Sequence, residues 1–278
     1  MQIVMSCAKD MSSHKRLASR PITEPLFKRE AIEAAAELVK VDTDITSQWF
    51  GCSESIAELN QIRFSRFPAW SSDDDLPDLL QAGVAYSGVA FRQLRVADMT
   101  LDEMLASNDH LWLVSFLYGL LRPLDGILPY RLEGKITLDV HSGKSMFDWW
   151  RPRLTDVLLE SVKADDGILL WCSTGEMKRM VDWKRLTREV CVIEPEFYVV
   201  KDGNARVNSV FAKQCRGQLA REAIVRCADG SYTGLSDLEE LLTGFDFLDF
   251  KRIATIAPTG VNQDMMKGHW SVRYEKFV

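Results

Sequence analysis

Residues 110–121 read HLWLVSFLYGLL. Nearly every position is apolar, so the element formed here must be buried. The run reads as a buried helix. It stops at Arg122-Pro123, because proline disfavours helical geometry in the residue before it. On one side lies TLDEMLASND, from Thr100, with Glu103 three residues along at capping-box spacing. On the other lies a turn-rich stretch that continues to PYRLE, 129–133.

Further out, strand and helix signals alternate. Residues 2–5 read as a strand entering a polar loop with Pro21 and Pro25. Helices are expected over 28–39, 44–50 and 53–67; in the last, Ile56, Leu59, Ile62 and Phe64 form the apolar side. Residues 71–75 read as a solvated acidic loop, and 82–86 as a short strand. Downstream come a helix over 146–163 and buried strands at 167–172 and 189–193. Asp202-Gly203 is a hairpin signal between 197–200 and 205–211, followed by helices at 214–227 and 236–242. No linker or repeat divides the chain. The expectation is an α/β or α+β fold: a single mixed domain over 1–278, with a central sheet and surrounding helices.

Composition narrows the classes. The 278 residues are 46% hydrophobic and 27% charged, with a formal net charge of −6. That charge argues against bulk nucleic-acid binding, though a local basic groove remains compatible with it. No apolar run approaches the ~20 residues of a membrane span. The opening MQIVMSCAKDMSSHKR has the reverse order of a secretory signal, with the apolar stretch first. The six cysteines form no CxxC pair and read as reduced cytosolic thiols. The four histidines show no zinc-ligand spacing.

Three constellations carry candidate chemistry. Ser6-Cys7-Ala8-Lys9 follows the opening strand, where sheet proteins place ligands. Lys9 is suited to a phosphate or carboxylate. Cys7 is a candidate redox thiol if Lys9 lowers its pKa; the plainer reading is a packed cysteine and a solvated lysine. The second is YGLLRPLD, 118–125, with PYRLE. Arg122 is suited to forking onto an anion. Arg131 and Glu133, two apart, share one face of an extended segment. A pair of ion pairs clamping the turn explains these residues equally well. The third is SVFAKQCRGQLAR, 209–221. Lys213 and Arg216, three apart, form one basic face near a helix start, where positive charge is unfavourable unless an anion sits there. Weaker signals are Gly143-Lys144-Ser145, which lacks the rest of a Walker motif, and the polar turn Ser173–Glu176.

These segments resemble the YaaA-type peroxide-stress proteins of bacteria. IVMSCAK resembles that family's opening strand and S-P-A-K-T segment. AYSG at 85–88 resembles V-Y-T-G, and SFLYGLLRPLDGILPYRLE at 115–133 is nearly identical to the central signature. GKSMFDWW at 143–150 and SVFAKQCRG at 209–217 complete the series. The match holds to about Phe247, leaving a divergent tail from about 251. Cys7 stands where the family has proline, and the loops at 82–84 and 170–176 lose acidic positions. The resemblance implies a cytoplasmic protein that limits iron- and peroxide-driven damage. It also implies DNA binding through a basic cleft of Lys9, Arg122, Arg131, Lys144, Lys213, Arg216 and Arg221, with Ser6 as a further anion-binding candidate. A helix-hairpin-helix-like element is implied too, for which LYGLLRPL is the candidate.

A second class is an enzyme in which haem or iron uses hydrogen peroxide to oxidise a nucleobase-like small molecule. Tyr130, Arg131 and Glu133 would be its catalytic residues. Its candidate ligands are Tyr86, Tyr118, Tyr130, Cys7 and the histidines at 14, 110, 141 and 269. A third is a scaffold without chemistry of its own. The partner is then DNA or a phosphate- or carboxylate-bearing small molecule.

Overall fold

The computed structural model describes residues 1–11, 17, 20–70, 76, 78–257 and 267–278. His14 and the acidic loop at 71–75 lie outside the described residues. The main sheet has eight strands: β1 Gln2–Ser6, β2 Leu111–Ser115, β3 Gly119–Leu121, β4 Ile168–Cys172, β5 Cys191–Lys201, β6 Asn204–Arg206, β7 Lys251–Ile256 and β8 Gly268–Phe277. Their order is β7-β8-β5-β4-β1-β2-β3, with β6 folded back on β5. The five strands β8-β5-β4-β1-β2 are mutually parallel, and β3, β6 and β7 are antiparallel to their neighbours. Helices surround this sheet, so the expected mixed α/β class is the one observed.

The central run is not a helix. Helix Leu101–His110, whose Thr100 and Glu103 form the expected capping box, ends at His110. The chain enters β2 directly, turns at 116–118 and returns as β3. All five residues of β2 are buried, because a central parallel strand is covered on both faces and reads as a continuous apolar run. A twelve-residue, mostly apolar run does not by itself separate a buried helix from two buried strands. LYGLLRPL is therefore a turn and a strand, not a pair of helices. The αα-hairpin of the chain is Thr43–Phe50 with Glu54–Phe64, joined through Gly51 in the left-handed region.

Helix Glu54–Phe64 buries Phe64 as expected but turns the rest of its expected apolar side outward. Ala57, Asn60 and Phe64 are buried, while Ile56, Leu59 and Ile62 are 38, 44 and 63% exposed. Gln61 decides the orientation. Its Nε2 donates to Leu38 O (3.3 Å) and Val41 O (2.6 Å), carbonyls at the end of helix Lys28–Leu38. Leu38 O also accepts from Val41 N (3.2 Å), so Gln61 ties this helix to the turn that follows the other.

Three further expectations shift. Residues 82–85 are a helical turn rather than a strand. The hairpin at Asp202-Gly203 is present, both residues at positive φ, but its second arm is only β6 and the next helix begins at Ser209. The tail from 251 supplies β7 and β8, and β8 inserts parallel to β5 over ten residues. Among the described residues no helix is long and apolar enough to cross a membrane.

Candidate functional site

The parallel strands, numbered by their order in the chain, lie in the spatial order 2-1-3-4-5. The direction of winding reverses between β1 and β4. In such sheets the loops leaving the two strands at the reversal diverge and open a crevice at their carboxyl ends. Here the crevice is a cleft of about 360 Å³. Its floor carries Cys7 and Cys172, its walls Phe91, Phe116 and Met177, and Lys213 and Arg216 come from helix Ser209–Ala228.

Hydroxyls tie the two loops together. Ser6 Oγ lies 2.6 Å from Ser173 Oγ, accepts from Thr174 N (3.0 Å) and donates to Thr174 Oγ1 (3.3 Å). Gly217 sets the distance to the opposite wall: a Cβ there would lie 2.1 Å from Ala90 O. The long helix can therefore press its backbone against residues 88–90 only because position 217 has no side chain.

Arg216 sits over Cys172. Its Nε is buried without a hydrogen-bond partner among the described residues, and burial holds its pKa below the usual arginine value. A buried guanidinium N–H normally finds an acceptor, so this one is poised for an anion. The helix start itself is not available. Asn208 Oδ1 accepts from Val210 N and Phe211 N, both at 3.1 Å, which caps the first turn. The attraction for an anion rests on the side chains of Lys213 and Arg216, not on the helix end.

Lys9 is at the cleft but committed. Its Nζ lies 2.7 Å from Glu133 Oε1, and Arg131 Nη2 is 3.7 Å from the same oxygen. Arg131 also donates to Phe50 O (3.4 Å). Lys9 thus neutralises Glu133 and leaves the Cys7 thiol unaided. Burial pushes that thiol up to about 12; hydrogen bonds from Tyr130 and from the Phe116 backbone oppose this, and Glu176 and Glu133 add to it. The expected peroxide-reactive thiolate is therefore not favoured, since the protonated form is the weak nucleophile. Below Cys7, Tyr130 Oη lies 2.6 Å from Ser115 Oγ and 2.9 Å from Tyr86 Oη. Burial raises the pKa of both tyrosines, so they remain neutral phenols.

The remaining basic residues lie elsewhere. Arg122 donates to Gln2 Oε1 and Leu111 O, both 3.3 Å, and its guanidinium stacks 3.3 Å over Trp112. Gln2 opens β1, so Arg122 sits at the other end of the sheet from the cleft. Arg221 is bound to Glu103 (2.9 Å), pinning the long helix to helix Leu101–His110. Lys144 is exposed on a two-residue strand paired with Thr137–Leu138. The cleft therefore gathers Ser6, Cys7, Lys9, Arg131, Lys213 and Arg216, and leaves out Arg122, Lys144 and Arg221.

Among the described residues no group of three or more His, Cys, Asp or Glu side chains is placed to hold a metal. His110 bonds to Met1 O, His141 stacks on Trp149 and His269 bonds to Glu194; none of the three lines the cleft. Tyr118 is held by the Leu128 backbone. Sequence reasoning missed the apolar walls Phe91, Phe116 and Met177, and the carboxylate of Asp10. Only the strand order brings them together.

A family model described as peroxide stress protein YaaA matches residues 1–249. A UPF0246 protein of Phocaeicola vulgatus is 40% identical over 221 residues, covering 80% of this chain and 85% of its own. A UPF0246 protein of Porphyromonas gingivalis is 36% identical over 228 residues, covering 81% and 87%. A third, from Phenylobacterium zucineum, is 34% identical over 256 residues, covering 90% and 89%. With the signature at 115–133 forming the end of β2, all of β3 and part of the cleft wall, the chain belongs to the YaaA peroxide-stress family.

Proposed function

We propose that this protein serves the peroxide response by binding a small phosphate- or carboxylate-bearing molecule in the cleft between β1 and β4. The observation that carries this reading is Arg216: a half-buried arginine whose buried Nε has no partner among the described residues, at the winding reversal of a parallel sheet. The cleft volume falls at the small end of ligand pockets, which suits a compact metabolite. On this reading the limiting of iron- and peroxide-driven damage runs through that molecule.

A DNA groove is less well supported. A groove for duplex backbone needs a continuous basic stripe. Arg122, Lys144 and Arg221 point to other places, and Lys9 is neutralised by Glu133. The αα-hairpin carries Asp42, Asp44, Glu54 and Glu58 around its helix starts, which repels phosphate. An enzymatic oxidation is also less favoured, because Tyr130 is sealed beneath Cys7 and Glu133 is occupied by Lys9.

The test is thermal denaturation with increasing inorganic phosphate and, separately, citrate. Saturable stabilisation of about 1.4 kcal/mol at ten times Kd is expected. It should vanish in Arg216→Met. No stabilisation by either anion, with salt-dependent binding of a DNA duplex instead, would overturn the proposal.

A further inference from the structure

The same cleft holds carboxylates as well as cations. Glu176 and Asp10 line it from the loops after β4 and β1, and Lys213 and Arg216 line it from helix Ser209–Ala228. Glu176, Asp10 and Lys213 keep contact with solvent, and Arg216 is half-buried. The four form no ion pair with one another among the described residues, whereas Lys9 and Glu133 at the same rim close to 2.7 Å.

Both kinds of charge line the cleft around the two cysteines. Glu176 lies close enough to the Cys7 sulfur to oppose its ionisation, and Arg216 close enough to that of Cys172 to favour it. Cys172 lies in register with Met5, two residues before Cys7. A simple anion placed against Arg216 would feel Glu176 as a repulsion. A ligand with a positive group a few bonds from its anionic group would meet both. Apolar walls from Phe91, Phe116 and Met177 exclude water around such a ligand and strengthen each interaction.

We infer that the ligand is bipolar: a small molecule with a phosphate or carboxylate for Arg216 and Lys213 and a protonated amine for Glu176, with Asp10 adding to the field. The inference rests on the anion-binding reading of the cleft and narrows its ligand class. Fixed charges of both signs discriminate by attraction and by repulsion together, so molecules with one sign of charge are rejected.

The experiment is calorimetric titration of the full chain with two matched pairs: phosphoethanolamine against ethyl phosphate, and β-alanine against propionate. The amine-bearing member of at least one pair should bind at least tenfold more tightly. The pair that shows the preference identifies phosphate or carboxylate as the anionic group. Glu176→Gln should erase the preference while leaving ethyl phosphate or propionate affinity unchanged or improved, and Arg216→Met should remove binding of both members. Equal affinity within each pair overturns the bipolar ligand and leaves the anion site standing. No binding by any of the four overturns the anion site, and the bipolar ligand with it.

Discussion

Two arginines lie close to the central strands, one at each end of the sheet, and they are handled in opposite ways. Arg122, at the amino-terminal end of β1, is bonded to Gln2 and Leu111 and covered by Trp112. Burial still pulls its pKa down to about 10, but Nη1 has two acceptors and none of its nitrogens is buried without a partner among the described residues. Arg216, at the carboxyl end of β4, is half-buried, and its buried Nε has no partner among the described residues. A satisfied buried cation is architecture; an unsatisfied one is a cost that the fold carries for another purpose. The difference follows the fold, because the loops at the amino-terminal ends pack together while those at the winding reversal splay apart.

Changing the geometry of the open end should have the largest effect. Gly217→Ala would gain about 1 kcal/mol from helix propensity. The new Cβ would lie 2.1 Å from Ala90 O, and backbone cannot move as a side-chain tip can. The clash wins, and a net destabilisation of about 2 kcal/mol is expected in urea denaturation, with anion binding weakened as the walls part. A variant as stable as the wild type would show that the close approach does not define the cleft.

The two arginines then test each other. Arg122→Met should cost about 2 kcal/mol, because it strips acceptors of their donor in a buried setting, and should leave anion affinity unchanged. Arg216→Met should be neutral or stabilising by up to ~1 kcal/mol, because a desolvated, unpartnered charge is replaced by an apolar chain of similar length. Equilibrium unfolding of both, beside phosphate titrations, separates the roles. The reverse order of stabilities would erase the distinction between the two ends.

The sequence already carried much of this, unevenly. Helix starts at Thr100 and the hairpin at Asp202-Gly203 were legible, because capping and turn chemistry act over three or four residues. Ser6, Lys213 and Arg216 stood out because polar residues follow strands and basic ones line a helix face. What was not legible depends on distant partners. HLWLVSFLYGLL forms strands because β1 lies alongside it, 105 or more residues away in the chain. Helix Glu54–Phe64 turns its isoleucines outward because Gln61 is needed at the end of another helix. Arg122 and Arg131 sit in one signature, yet only the fold shows that they face different ends of the molecule.

His141 sharpens the comparison as a control, with the smallest effect at neutral pH. It is also buried with both ring nitrogens unpartnered among the described residues, yet it does not line the cleft between β1 and β4 and stacks 4.2 Å from Trp149 at 9°. Burial, with the nearby Arg153, lowers its pKa to about 4, so the fold holds the neutral ring. Between pH 6.5 and 4 the unfolded chain binds a proton here that the folded chain does not. Stability from this residue is therefore intact above pH 6.5 and is lost as pH falls towards 4, by up to about 3 kcal/mol. His141→Phe keeps the stacking and removes the titration. It should match the wild type within about 1 kcal/mol at pH 7, with the gap widening in its favour on acidification and anion binding unchanged. If His141→Phe instead abolished anion binding, an unpartnered buried group would mark a site at either place. If it spares binding while Arg216→Met removes it, a buried group lacking a partner signals a ligand only where the fold also leaves an opening.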